Sequence, residues 1–378
     1  MAGIILFVLN LRPAITSLSP IYDQIGRSFP LTDSALGILG MLPPLAFAFF
    51  GALTPRLIPK LGLERSILFA LALIIGGQVM RGFSNDVWLF GITEGISLAG
   101  MGIGNVLIPP VIKSYFPDRI GQVTGIYAAA ISVSAALPSF VAVPVTQLGG
   151  WRLSTSMWAG LALIAAVPWV ILLSGSQKQV QSHQHPKYSA WGWPTAWGIT
   201  ILFGVGALNN YTMIAWLPKI LTSSAGVSQA SSGIMLSMYN LIGFPHSLLV
   251  PIILSRTRRP LYVIAIGITC LVVGYLGLAY LPVYAWAWIF PAGIGLLLIP
   301  VGLTLINLRS RTQDGAAVLS GFTQGAGYLL GAIGPIVVAG LHSMTGDWMS
   351  AFWFLLITAL VALGAGVIAV KPRFIEDS

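Results

Sequence analysis

Apolar runs long enough to cross a bilayer recur from one end of this chain to the other, and nothing else constrains its fold as much. The stretch from Ile67 to Gly77 carries no charged or amide side chain, so a helix there is apolar on every face. The strands of a transmembrane barrel alternate polar and apolar residues, and such a run excludes them. Charge is correspondingly scarce. Charged residues make up 8% of the 378, against roughly 25% in an ordinary soluble domain. That is too little to cover a water-facing surface, so a soluble enzyme, a disordered tail and a nucleic-acid-binding domain are all excluded. The chain reads as an all-α polytopic membrane protein.

Length then sets the number of helices. Each spanning helix needs about 20 apolar residues, and twelve of about 22 leave connections of about nine residues each. Turn clusters and charges divide the sequence into twelve such segments, near 3–26, 33–54, 65–82, 87–112, 121–147, 152–174, 191–217, 230–254, 261–281, 284–307, 315–341 and 348–370. The first has no basic leader and is interrupted by Arg12-Pro13, so it reads as a span rather than a signal peptide. The polar stretch from Ser174 to Ser189 lies near the midpoint and reads as a linker. The expected organisation is a six-helix bundle over 1–174, a linker over 175–190 and a second six-helix bundle with a short tail over 191–378.

The bases can be placed one at a time. Of the 19 Lys and Arg, fourteen fall at one side of the membrane: Arg56, Lys60, Arg65, Lys113, Arg119, Lys178, Lys187, Arg256, Arg258, Arg259, Arg309, Arg311, Lys371 and Arg373. Arg27, Arg81, Arg152 and Lys219 fall at the other, and Arg12 lies inside a span. The positive-inside rule puts both termini and the linker in the cytoplasm. It also accounts for the net charge of +9 without nucleic acid. The halves resemble each other as well. Trp151 is answered by Trp348, Leu107-Ile108-Pro109 by Leu298-Ile299-Pro300, Pro138 by Pro335 and Asn10 by Asn209, at offsets of 197, 191, 197 and 199 residues. Four matches in order suggest a six-plus-six parallel repeat, the arrangement of transporters that rock two halves about a midplane site.

Arg12 is the most informative residue. It lies about ten residues into the first span, or ~14 Å deep at 1.5 Å per residue. An arginine there costs at least ~2.5–3.5 kcal/mol, so it must face a cavity and find a partner. That partner is either a small planar anion, which its fork suits, or an intramembrane acid. Pro13 removes an amide hydrogen and frees the carbonyl of Leu9, breaking the helix beside the charge. Glu94 is the other charge clearly within a span. It is either a proton-coupling carboxylate, or the ion-pair partner of Arg12 or Arg81, or hydrated near the outer surface. Asp23, at the outer end of the first span, reads as gating or solvated.

Polar and aromatic residues at comparable depth complete the candidates. They are Asn10, Asn105, Tyr127, Asn209, Asn210, Tyr211, Trp216, Asn240, His246, Thr323, Gln324 and Tyr328. Each is either a donor or ring for a polar solute, or an interhelical or interfacial anchor. Gln324 and Tyr328 are four apart and share a helix face. Gly100-x3-Gly104, Gly321-x3-Gly325 and Gly327-x3-Gly331 allow close helix contact. Cys270 permits no internal disulfide and reads as a small core residue. His183-x-His185 reads as solvated rather than metal-binding, and no metal, cofactor or catalytic motif is expected.

Several motifs carry a family resemblance. Asn10-Leu11-Arg12-Pro13-Ala14-Ile15-Thr16-Ser17 resembles the first-helix signature of the cyanate permease and 2-nitroimidazole transporter family, within the major facilitator superfamily. Gly104-Asn105-Val106-Leu107-Ile108-Pro109, with Ile112-Lys113 and Phe116-Pro117, resembles its helix 4 and the loop after it. Ala215-Trp216-Leu217-Pro218 and the run from Leu319 to Leu330 are similar to its helices 7 and 11. The superfamily loop motif is partial, because Gly51-x3-Pro55-Arg56 has Pro where an acid is usual. The resemblance covers essentially the whole chain. It implies a twelve-helix secondary transporter with its site between two bundles, and its arginine signature falls on Arg12.

The expected function is alternating-access transport of a small planar anion, a cyanate-like ion or a nitroheterocycle. Arg12 would bind its charge, assisted by Asn105, Tyr127, Tyr211, Trp216, Gln324 and Tyr328, with Glu94 as a candidate for proton coupling. A monomer in the bilayer is expected, with a small-molecule substrate, H+ as a candidate second one and no cofactor. The alternatives are proton-coupled efflux of a neutral or weakly basic drug and, in a different class, a non-transporting receptor or a membrane enzyme.

Overall fold

Lipid offers an unpaired backbone no hydrogen-bond partner, and a helix satisfies its own, so helices follow the apolar runs. The computed structural model describes residues 1–173, 189–257 and 259–377, and no strand occurs among them. Lys178, Lys187, His183, His185 and most of the expected linker lie outside the described residues, as does Arg258.

The first span is built in pieces: α1 (Ala2–Leu9), α2 (Pro13–Thr16), a single tight turn at Ser19–Ile21 and α3 (Tyr22–Gly26). Its two arms meet at 41°. Then come α4 (Asp33–Leu61), α5 (Leu63–Arg81), α6 (Val87–Tyr115), α7 (Ile120–Ser156) and α8 (Trp158–Leu173). Beyond the linker lie α9 (Pro194–Ser224), α10 (Gln229–Arg256), α11 (Leu261–Tyr280), α12 (Ala285–Ile294), α13 (Leu298–Leu308), α14 (Gln313–Thr345) and α15 (Met349–Ala369). Among the described residues ten helices are long and apolar enough to cross a membrane, and eleven with the bent first span. The sixth expected span falls on the shorter apolar helix α8. The kink before it in α7 sits at Gly149 and Gly150, where Gly150 takes φ 77°, a left-handed conformation that glycine adopts without strain.

Helices α1 and α5–α8 pack together as one set and α9–α15 as another; α4 belongs to the first but packs most heavily on α14, and α4 against α14 and α7 against α10 form two seams between the sets. Small residues line the first seam. A Cβ on Gly37 would lie 2.6 Å from that of Ala339, and one on Gly40 would lie 2.8 Å from Ala215 and Pro335. Backbones can approach that closely only where side chains are absent or short. Of the three glycine pairs, Gly100-x3-Gly104 and Gly327-x3-Gly331 do serve close contacts, with Ala70 and Leu11 and with Phe203 and Ala207. Gly321 and Gly325 have open space instead. Cys270 is half-buried on α11 rather than a core residue.

Polar contacts close the two sets together at the end opposite the chain termini, here called the distal end. Asp33 of α4 accepts from Lys219 of α9 at 2.5 Å and pairs with Nδ1 of His342 on α14 at 2.8 Å. His342 stacks on Trp348, centroids 3.8 Å apart. Nearby, the Gln229 amide donates to Asp23 at 2.6 Å, and that of Gln24 donates to Gln229. Asp23 is thus a contact between the sets. One turn further in, Ser19 Oγ donates to the Ile214 carbonyl at 2.5 Å. That carbonyl is free because Pro218, four residues on, has no N–H to offer it.

On the terminal side the chain's last residues hold the start of α14. Glu376 accepts from the Arg311 and Thr312 amides at 2.9 and 2.8 Å and from the Thr312 hydroxyl at 2.8 Å. Partial burial pushes its carboxyl upward, but the hydrogen bonds from Thr312 and Arg311 together outweigh that and hold it below the ordinary glutamate range. A depressed carboxyl stabilises the fold above its unfolded pKa, so this contribution is present at neutral pH and fades as pH falls through the lowered value.

Candidate functional site

The site begins at the break in the first span. Pro13 opens α2 and cannot donate to Leu9, so the helix parts over Asn10 to Arg12. The freed Leu9 carbonyl is taken up by Ser134 of α7, whose Oγ donates to it at 2.9 Å. Ser134 is buried, and nothing in the sequence marks it among the many serines of its helix. Ser134→Ala leaves a buried carbonyl unsatisfied. The expected result is a loss of about 1–3 kcal/mol, read as a lower melting temperature in detergent, with Ser134→Thr closer to wild type.

Arg12 stands at the N-cap of α2 with φ −130° and ψ −18°. It is half-buried, and its Nη1 donates to the Leu11 carbonyl at 3.1 Å. Its guanidinium lies over the ring of Phe47, 5.3 Å from the centroid. Among the described residues no carboxylate comes within ion-pair distance of it. The intramembrane acid that could have been its partner is used elsewhere. Glu94 is buried and hydrogen-bonded to Arg81, itself fully buried, whose Nη2 also donates to the Thr155 carbonyl at 2.8 Å. This is the ion-pair reading of Glu94, with Arg81 rather than Arg12 as partner. Arg81 is therefore part of the protein interior rather than of a solvated loop.

Rings from three helices converge on Arg12. Phe47 of α4 meets Tyr328 of α14 at 5.6 Å and Tyr211 of α9 at 6.3 Å, both edge-on. Tyr211 and Tyr328 meet at 6.3 Å, and Phe203 backs Tyr328 at 5.2 Å. These edge-to-face distances are the favourable ones for aromatic pairs. The charge of Arg12 reaches the hydroxyls of Tyr127, Tyr211 and Tyr328. Phe47, Tyr211 and Tyr328 each lie near the middle of their helices, which matches the depth of Arg12. A small cavity adjoins this cluster on its distal side, lined by Ala14, Ile15, Leu18 and Pro43 together with Tyr22, Glu94 and Tyr211.

Of the residues expected from sequence, the structure brings Arg12, Tyr127, Tyr211 and Tyr328 together. Asn105 follows Gly104, which packs on Leu11 and Phe7, and its Nδ2 is buried without a hydrogen-bond partner. Gln324 is one turn from Tyr328 toward the terminal side and donates to Ser320 at 2.8 Å. Trp216 stands apart. It is fully buried, donates to the Pro335 carbonyl at 3.0 Å and packs against Trp348, supporting the distal closure. Asn10, Asn209 and Asn240 donate back to carbonyls four residues earlier on their own helices. Phe47 was not legible: a phenylalanine in an apolar span carries no signal of its own.

A broken first helix, an unpaired arginine at its break and paired helix sets around it match a known architecture. The model of the Major Facilitator Superfamily fits residues 4–335. The chain belongs to the major facilitator superfamily. Within it, the chain is 36% identical to the uncharacterized transporter YycB of Bacillus subtilis (strain 168), over all of this chain and 94% of that one. It is 34% identical to the 2-nitroimidazole transporter of Escherichia coli (strain K12), over 99% of this chain and 96% of that one. Identity to the cyanate transport protein CynX of the same organism is 26%, over 97% and 95% of the two chains. Among solved structures, the superfamily fold recurs in a bacterial homolog of the human lysosomal transporter Spinster, inward-facing and unoccupied. The TM-score is 0.78 at 15% identity, over 99% of this chain and 97% of that one. This superfamily member is thus a multi-pass membrane transporter and not an enzyme.

Proposed function

We propose that the protein moves a small planar anion across the cytoplasmic membrane by alternating access, with Arg12 binding its charge. One observation carries this reading. A guanidinium that cannot shed its proton sits half-buried at mid-depth, and among the described residues no acid neutralises it. An anionic solute supplies the missing charge, and the planar fork can bond it twice. Asn105 adds a free donor, and Tyr127, Tyr211 and Tyr328 add hydroxyls. The solutes named for the two characterised relatives, 2-nitroimidazole and cyanate, are both small and planar.

Residues 1–174 and 191–378 form the two bundles that rock, and the positive-inside rule places both termini in the cytoplasm. The contacts at Asp33, Lys219 and His342 then hold the two bundles together on the outer side. Glu94 is given no coupling role, because Arg81 holds it.

Counterflow in proteoliposomes tests the reading. Liposomes loaded with a small planar anion should accumulate labelled anion, and external anions of similar shape should compete while cations of similar shape should not. Accumulation of weakly basic drugs with no competition from anions would overturn it.

A further inference from the structure

We infer that Tyr22 is the partition on the outer half of the solute path, standing between the Arg12 site and the distal face. For its inner end the inference rests on the reading of Arg12 as the solute site, and it goes beyond that reading to how the site is reached. Two small cavities lie in line here. One reaches the distal surface, where exposed Asp23 and half-buried Lys219, Thr222 and Gln229 line it. The other is the cavity beside the Arg12 cluster, and every residue along its wall is buried. Tyr22 lines both cavities and is itself buried. Three residues before it, the Ser19 hydroxyl of the outer cavity donates at 2.5 Å to the carbonyl of Ile214, which lines the inner one. The cavities are therefore neighbours, divided by the Tyr22 side chain and this hydrogen bond.

Two helices lay out the same path. In the first span Ala14, Ile15 and Leu18 line the inner cavity, Ser19 and Asp23 the outer, and Tyr22 both. In α9 Tyr211, Ile214 and Ala215 line the inner cavity, and Pro218, Lys219 and Thr222 the outer. Steps of three and four residues keep each series on one helix face. The change from inner to outer comes between Leu18 and Ser19, at the bend of the first span, and between Ala215 and Pro218 on α9. The chemistry changes at the same level. The outer wall carries charged, amide and hydroxyl side chains, whereas the inner wall is apolar except for Tyr22, Glu94 and Tyr211. An ion that moves inward past Tyr22 therefore gives up water there. The first span and α9 belong to opposite sets, so the path widens when the two helices part. The bond from Ser19 to Ile214 and the contacts of Asp23 with Gln229 and of Asp33 with Lys219 are the ones that break.

The test labels cysteines from outside, in right-side-out membrane vesicles, on the full chain carrying Cys270→Ser so that no native thiol interferes. The probe is a charged, membrane-impermeant methanethiosulfonate. Thr222→Cys in the outer cavity should react readily whatever residue replaces Tyr22. Ala14→Cys in the inner cavity should react slowly while Tyr22 is present. With Tyr22→Ala or Tyr22→Leu it should react about tenfold faster or more, because the space a lost ring leaves collapses only in part. Tyr22→Phe keeps the ring and should label as slowly as the native tyrosine. Tyr22→Leu keeps more of the volume should Tyr22→Ala fail to fold. Ala162→Cys, buried on α8 and lining neither cavity, should stay slow throughout. Equal Ala14→Cys rates in every background, or Tyr22→Phe as fast as Tyr22→Ala, overturn the inference. So do an equal acceleration at Ala162→Cys, which means general loosening, and an unlabelled Thr222→Cys, which puts the distal face inside. Labelling needs no bound solute, so the two readings fail separately. A wild type that binds neither cyanate nor benzoate in calorimetry overturns the Arg12 reading, whereas the labelling alone decides whether Tyr22 divides the two cavities.

Discussion

Arg12→Ala should abolish anion uptake in proteoliposomes while leaving the protein folded. Two charge-assisted hydrogen bonds at about 1.5–3 kcal/mol each imply a loss of at least about 100-fold. Folding should survive because the side chain's structural ties are few: one bond to the neighbouring Leu11 carbonyl and the face of Phe47. Taking an unpaired cation out of the interior also removes a standing cost, so the melting temperature should hold or rise. Arg12→Lys keeps the charge but loses the planar fork, and partial uptake with a raised KM is the expected result. Wild-type uptake by Arg12→Ala would mean that the anion binds elsewhere.

The second large effect lies in the pair of Arg81 and Glu94. Both are buried, and removing either one strands the other's charge. Arg81→Met or Glu94→Leu alone should therefore cost about 3–5 kcal/mol, which at the margin of stability means poor expression and a much lower melting temperature. The double variant Arg81→Met with Glu94→Leu should recover most of that loss, since two apolar side chains can replace a buried pair at little net cost. Unfolding midpoints of the four proteins close this cycle. Glu94→Gln distinguishes structure from proton coupling. A stable Glu94→Gln protein whose uptake no longer responds to an imposed pH gradient would restore the coupling role that the pairing with Arg81 argues against.

These residues also show how far the sequence could be read. Arg12-Pro13 predicts a helix break and a free Leu9 carbonyl, and both are present. That the carbonyl would find Ser134, 125 residues away, is a matter of how α7 is rotated against the break. Glu94 has three readings in sequence because the rotation of α6 is open there. The fold puts it against α5 and leaves Arg12 alone. Trp216 and Tyr211 share a helix only five residues apart, yet one indole turns to Pro335 and the other ring packs against Phe47 and Tyr328. Phe47 has no polar atom to draw notice, and only its position over Arg12 reveals it.

By itself the sequence determined the membrane class, the approximate spans, the side on which the bases gather, the bend at Pro13 and the misplaced charge of Arg12. These follow from hydropathy, charge and backbone chemistry, which act locally. The tertiary structure decided which charges pair, which rings enclose Arg12 and which end of the molecule is closed. In a soluble helix the apolar stripe tells which face is buried. In a span surrounded by lipid every face is apolar, so the pattern carries no such direction, and packing alone chooses the neighbours.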